Sequence, residues 1–367
     1  MWVVVITSFI AIFLTYLSQY KGYSRLFELG FVLVTFIAAI HFNYGNDYMT
    51  YYGHWMNIRQ ESWRNVLTGN MYWEVETGWA LLNKLFSFGG GFFVLVALLN
   101  ILQNYIYYSL IKFFIVPADR WLSMMIYLCT SGLYLLNFSM MRQGLAVALF
   151  VAAILFITKR KLLFSILSLL VAISVHRTAV IGVPFLLLYF LPLKNTKPLS
   201  VVVASLTAVL FWGSSVAADV FDRLFLSVGL LDKYEAMSGN VLAEESLGFG
   251  FVLLHIPHLV ILYSLWSGSY FKNFDEKIIT IVAFFDIIII PFTYIGSAYM
   301  SRLEIYFGAF QVAVIPMLYS RLKRAELRLG LKLIVVFMLL YTYRGFFMTS
   351  YWMNTYGGPF HSIFSIL

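Results

Sequence analysis

Residues 141–177 read MRQGLAVALFVAAILFIT, then KRK, then LLFSILSLLVAISV, then HR. Two apolar runs, 143–158 and 162–175, are parted by Lys159-Arg160-Lys161, and the second ends on a bare His176-Arg177. A helix needs about 20 apolar residues to cross a bilayer. These two runs approach that length and leave room only for very tight hairpins between them. Further runs lie on both sides, at about 2–18, 26–42, 92–111, 121–136, 178–192, 199–217, 249–267, 278–293, 303–319 and 329–347. The chain as a whole is 61% hydrophobic and 11% charged, with a mean hydropathy of +0.84. An ordinary soluble domain carries about 25% charged residues, so this chain cannot clothe a water-exposed surface. Disorder, a nucleic-acid-binding module and an ordinary cytosolic enzyme are excluded on that ground. The expected fold is all-α, a polytopic transmembrane bundle of about 12 spans. It forms one domain, 1–367, with two long non-membrane stretches at 43–91 and 218–248. The first run has no charged leader and no small-residue cleavage site, and is read as a retained span.

Charge separates the loops into two sets. Alternate loops, which include Lys21, Arg25, Lys112, Arg120, Lys159–Lys161, Lys194, Lys197, Lys272, Lys277 and the cluster 321–332, hold sixteen basic against five acidic residues, a net of +11. The remaining nine basic and twelve acidic residues net −3, which recovers the formal +8 of the whole. Lys and Arg are retained on the cytoplasmic side of membrane proteins. The first set is therefore placed inside, and both termini and the stretches 43–91 and 218–248 outside. The basic balance reflects this topology and anionic lipid headgroups, and does not indicate nucleic acid.

Several simpler chemistries find no support. The single cysteine, Cys129, lies in an apolar run, so no internal disulfide or cysteine-based metal cluster is available. His255 and His258 are close enough in sequence to share a metal, but Pro257 stands between them and spacing fixes no third ligand. No metal or cofactor is expected. Gly89-Gly90-Gly91 lacks the Lys-Ser/Thr of a phosphate loop and is read as a helix break.

With this topology the unusual polar residues collect on the outer face. Gly45-Asn46-Asp47-Tyr48-Met49-Thr50-Tyr51-Tyr52 opens the long outer stretch, Asn137 to Arg142-Gln143 forms the next outer turn, and His176-Arg177 the one after. Ser301-Arg302-Leu303-Glu304-Ile305-Tyr306 begins the eleventh run, and Pro359-Phe360-His361 lies in the tail. Each has a plainer explanation: arginines snorkel to headgroups, and an aspartate at a span end caps a helix. Together they suit diphosphate chemistry. The planar guanidinium grips phosphate oxygens bidentately, so two arginines from different helices could hold a lipid diphosphate and neutralise it as it leaves. An imidazole or carboxylate beside them could take a proton from an attacking hydroxyl. The 19% aromatic content supplies interfacial belts and flat faces for sugar rings, and belts account for most of it.

The same pieces, in order, resemble the EpsG family of bacterial membrane proteins, relatives of the Wzy-type polymerases of O-antigen and exopolysaccharide. The resemblance rests on Gly45-Asn46-Asp47-Tyr48-x-x-Tyr51, on Asn137-x4-Arg142-Gln143 before an Ala-rich span, and on His176-x-x-Ala179-x-Ile181 before Pro184. Ser301-Arg302-Leu303-x-Ile305-Tyr306-Phe307 with Gln311 and Pro316, and the tail Pro359-Phe360-x-x-Ile363-Phe364, complete it. Arg177 and Glu304 depart from the small and neutral residues commoner in the family. The resemblance implies a GT-C-like glycosyltransferase in the bacterial cytoplasmic membrane, active on the periplasmic or extracellular face. It would polymerise oligosaccharide repeat units carried on undecaprenyl diphosphate, with a chain-length regulator and a flippase as further candidate partners. Within that reading Arg142 and Arg302 clamp the donor diphosphate, and His176, or second Asp47, handles the proton. Gln143, Tyr51 and Tyr306 support them, and Arg177 and His361 are outlying candidates for substrate binding. Two other readings stay open. Asp286, about eight residues into the tenth run, would suit a repeat-unit flippase, and a His-Arg pair such as His176-Arg177 would suit a membrane O-acyltransferase.

Overall fold

The computed structural model describes residues 1–71, 75–130, 132–191, 193, 195–212, 249–268, 270–289, 298–348 and 356–365. The expected outer stretch 218–248 lies outside the described residues.

The chain is helical almost throughout, as the apolar runs require. The elements before the quoted stretch are α1 (Trp2–Leu17), α2 (Leu26–Ile40), α3 (Tyr48–Gln60), α4 (Trp63–Thr68), α5 (Thr77–Leu85), α6 (Gly91–Phe114), α7 (Arg120–Cys129) and the short α8 (Leu136–Ser139). The quoted stretch forms α9 (Met141–Thr158) and α10 (Leu162–Val175), followed by a 3₁₀ segment, Arg177–Tyr189. Then come α11 (Lys197–Trp212), α12 (Phe249–Ser267), α13 (Phe274–Phe284), α14 (Ala298–Gly308), α15 (Gln311–Ser320) and α16 (Ala325–Met348). The one strand pair among the described residues joins β1 (His41–Phe42) to β2 (His361–Ser362), antiparallel, with His41 opposite Ser362 and Phe42 opposite His361.

Among the described residues three helices, α6, α9 and α16, are long and apolar enough to cross a membrane, and α1, α2, α10, the 3₁₀ segment and Lys197–Val209 of α11 are shorter apolar pieces. α9 is the central one: 78% of its apolar window is buried within the protein, against 22% for α16. Outside the core the apolar character continues. Phe9, Phe13, Leu163, Leu167, Leu170, Leu333 and Phe337 all face outward, as side chains bathed in lipid do and those bathed in water avoid. This is a membrane protein.

The α9–α10 hairpin shows how so short a turn closes. Arg160 takes up the left-handed conformation (φ 57°). Its N–H donates to Ile157 O at 3.0 Å, and that of Lys161 donates to Phe156 O at 2.8 Å. These are the two bonds of a Schellman ending, with arginine where glycine is usual. The Arg160 guanidinium offsets the cost by stacking 4.3 Å from the Phe274 ring centroid and donating to Tyr189 O.

Several runs that read as continuous are in pieces. The run 121–136 stops helically at Cys129, because Thr130 is extended and Gly132 has φ +87°. The run 303–319 is divided at Ala309–Phe310 between α14 and α15. The run 178–192 is wound as 3₁₀ with Pro184 inside it. At about 2.0 Å per residue its thirteen residues reach roughly 26 Å, which lets a short segment cover nearly a bilayer's depth. The stretch 43–91 is itself folded: α3 buries Tyr48, Tyr51, Trp55 and Ile58 at i, i+3, i+7 and i+10 spacing. Those aromatics join Trp79 of α5 in a core with Phe92, Leu95, Val96 and Leu99 of α6, Met141 and Leu145 of α9, and Val175 of α10. That core fixes the outer stretch to the end of the bundle where the polar segments meet.

Candidate functional site

Each polar group is delivered by an element end. Asp47 is the residue before α3, Glu76 the residue before α5, Arg142 the second residue of α9, and His176 the residue after α10. Arg302 lies on α14. Close backbone approach brings two of them together. A Cβ added at Gly78 would stand 2.3 Å from Ser174 Oγ and 2.6 Å from the Ser174 carbonyl, so α5 and α10 touch with nothing between them. Glu76 precedes that contact by two residues, and His176 follows it by two.

The charges then interlock. Arg142 is ion-paired to Glu76, with side chains 22% and 11% exposed. Its guanidinium lies 5.6 Å from the centroid of the Tyr51 ring. Burial raises the Tyr51 hydroxyl above its ordinary pKa, and Arg142, which hydrogen-bonds it, works against that. Burial also pushes the Asp47 carboxyl above the usual range, opposed by Arg302 and then Arg142. His176 is lowered to about 4, chiefly by burial; Glu76 pulls it upward, and Arg142 and Arg302 push it down. Asp47, Glu76, His176, Arg142 and Arg302 thus sit in one mutual field. A cation at the start of α9 opposes the helix dipole, and Glu76 supplies the counter-charge.

Two hydrogen-bonded links hold the frame. Gln143 Nε2 donates to Arg302 O at 2.8 Å, tying the start of α9 to α14. Thr178 Oγ lies 2.8 Å from His176 Nδ1 and 3.0 Å from the Tyr306 hydroxyl. Thr178 therefore occupies Nδ1 and leaves Nε2 as the ring nitrogen turned to other work. Gln143, Thr178 and Tyr306 are all buried.

Of the residues singled out from sequence, Asp47, Tyr51, Arg142, Gln143, His176, Arg302 and Tyr306 are brought together. Arg177 and His361 are not: both are exposed. His361 sits in the β1–β2 ladder opposite Phe42, and Arg177 is the exposed first residue of the 3₁₀ segment. Sequence reading missed Glu76 and Thr178. Thr178 lies inside the His176-x-x-Ala179 motif as an unassigned position, and Glu76 carries no local signal beyond being an acid in the outer stretch. Among the described residues no group of three or more His, Cys, Asp and Glu is placed to hold a metal ion. A cavity of about 530 Å³ lined by Arg160, Lys272, Asn273 and Lys277 lies near the opposite end of α9 and shares no residue with the cluster.

No curated protein and no solved structure matches the chain. The sequence model of the EpsG family matches residues 24–357, a span that takes in Asp47, Glu76, Arg142, His176 and Arg302. By that match over nearly its whole length, the chain belongs to the EpsG family.

Proposed function

We propose that the protein polymerises saccharide repeat units carried on undecaprenyl diphosphate, at the outer face of the bacterial cytoplasmic membrane. Family membership supports a polysaccharide-polymerase type of activity. The observation that carries the finer reading is the convergence of two arginines, two carboxylates and a neutral imidazole at one end of α9. A helix start offers unpaired N–H groups and the positive end of the dipole, a setting made for phosphate. Arg142 stands at that start. Arg302 faces the same cluster from α14, linked to α9 through Gln143.

In this mechanism the donor diphosphate takes the place of Glu76 on Arg142 and engages Arg302. His176 Nε2 accepts the proton of an acceptor sugar hydroxyl, whose oxygen forms the new bond to the donor's anomeric carbon. The bond from that carbon to the diphosphate breaks, and the two arginines hold the departing anion. Burial makes His176 a weak base, at about 4. An incoming diphosphate adds negative charge beside it and raises its basicity when it is needed. Thr178, accepting from Nδ1–H, keeps the lone pair on Nε2. Asp47 orients the acceptor hydroxyl. A chain-length regulator and the flippase that delivers the substrate are its natural partners.

The test is polymer length in a strain lacking the protein and in point variants expressed at matched levels. The deletion strain should retain a single repeat unit on its glycolipid. Long polymer that persists with only its sugar composition changed would overturn the reading. A normal ladder in His176→Ala would move the base to Asp47.

A further inference from the structure

A second polar group lies elsewhere, inside the bundle. Halfway along α12, His258 is buried, and its Nε2 stands 3.0 Å from Asp286 Oδ2. The other ring nitrogen, Nδ1, lies 3.3 Å from Nδ1 of His255. Gln311, the first residue of α15, donates through Nε2 to Asp286 Oδ2 at 2.5 Å, and the same nitrogen stands 2.9 Å from His258 Nε2. Asp286 is 1% exposed, and its second oxygen, Oδ1, is buried with no hydrogen-bond partner among the described residues. Gly308, the last residue of α14, closes another side: a Cβ there would be 3.6 Å from Oδ2.

Among the described residues, two of the helices that reach this point end at it, and a third carries a proline there. α12 carries Pro257 between the two histidines. α13 ends at Phe284, and Phe285 forms a turn directly before Asp286. α14 stops at Gly308, and α15 starts again at Gln311. Broken helices deep in a membrane protein are where charged ligands are held, and an ionisable side chain there is expensive unless it works.

The 3.0 Å contact between Asp286 Oδ2 and His258 Nε2 can share one proton. With Asp286 ionised and both histidines neutral, one net negative charge is sealed in an apolar interior, where an unbalanced charge is costly. One added proton removes it. The proton sits on Asp286 Oδ2 and is donated to His258 Nε2, or it sits on Nε2 and is donated to Oδ2. In both forms His258 Nδ1–H donates to His255 Nδ1, and Gln311 donates to the same carboxylate.

We propose that His255, His258 and Asp286 form a proton-binding site within the membrane bundle, holding one exchangeable proton in the Asp286–His258 hydrogen bond. The packed neighbours leave it to these groups. α15 brings only Tyr319, near its far end, α11 only Lys197 and α9 only Arg142, each at the start, and α13 its charges Asp275, Glu276 and Lys277 in the first turn. α16 keeps its charges toward its ends, at Glu326, Arg328, Lys332 and Arg344, with Tyr341 and Tyr343 beside the last, and α14 brings Tyr299, Arg302, Glu304 and Tyr306 before Gly308. The site is independent of the polymerase reading, because it shares no residue with the Arg142 cluster.

Infrared difference spectra of the full-length protein in lipid vesicles, taken as the pH is raised from neutral to alkaline, test it. The wild type should lose a protonated-carboxyl band or an imidazolium band. Asp286→Asn, which keeps the shape and neutrality of the protonated acid, should abolish that loss. His258→Gln should shift the pH of half-conversion or abolish the change, which keeps the test alive if either variant folds poorly. Identical difference spectra for the wild type and Asp286→Asn would overturn the proposal. So would a spectrum unchanged across the range in which the protein stays folded, the behaviour of a purely structural pair. Polymer length plays no part in the readout, so this proposal and the polymerase reading fail separately.

Discussion

His176 is kept neutral by burial and by two arginines, and this sets a specific pH behaviour. Raising the pH through about 4 creates the free base, so activity measured as kcat/KM should climb across that point and stay level to neutrality. An ordinary histidine would place the climb near ~6.5. Glu76→Gln removes an influence that raises His176 and should move the limb to lower pH. Stability should move with acid as well: the unfolded chain takes up this proton near ~6.5, the folded one only near 4. Stability is therefore lost as the pH falls between those values, which thermal unfolding in detergent would show. Thr178→Ala removes the partner of Nδ1 and should cost about 10- to 100-fold in polymerisation, the size of one hydrogen bond to a group that becomes charged. Thr178→Ser should restore most of it. Arg142→Lys and Arg302→Lys should fail nearly as badly as the alanine variants, since ammonium offers no fork, and near-normal ladders for both would remove the clamp. Asp47, Arg142, His176 and Arg302 were legible in the sequence because charged groups are conspicuous at the ends of apolar runs. Thr178 and Glu76 were not, because threonine is ordinary there and Glu76 reaches Arg142 only through a tertiary contact.

That contact belongs to the packing of elements. Gly78 lets α5 lie directly on the end of α10, so Gly78→Ala should force the two apart, destabilise by about 1–3 kcal/mol and lower polymer yield at equal expression. Gly45 is more constrained still, with φ +111° and a would-be Cβ only 2.3 Å from Phe138 O. Gly45→Ala should lower the melting temperature further than Gly78→Ala and displace Asp47, two residues on. The hairpin 159–161 could be foreseen from three cations between apolar runs, although not the left-handed Arg160 that closes it. The breaks at Thr130 and Ala309–Phe310 were silent for a physical reason. Hydropathy reports how apolar a segment is, and a break made of Ala and Phe is as apolar as the helix it interrupts.

At the scale of the molecule the charge partition predicts which ends of the helices face the cytoplasm. With Cys129 replaced, a cysteine at Arg160 or Lys323 should resist an impermeant thiol reagent in intact cells, and one within 60–70 should be labelled. Labelling of both groups from outside would overturn the orientation and with it the placement of the Arg142 cluster. Cys129 itself is buried and should stay dark in the unaltered protein. One contact bears on the topology without any labelling. The Met1 amine donates to Gly358 O at 2.6 Å, and the β1–β2 ladder ties Phe42 to His361. Two points of a chain that touch outside the bilayer lie on the same side of it, so the chain between them must cross an even number of times. The same parity then applies between residues 1 and 42, and the expected crossing of both apolar helices, α1 and α2, satisfies it. Any revision of the span count has to add or remove crossings in pairs.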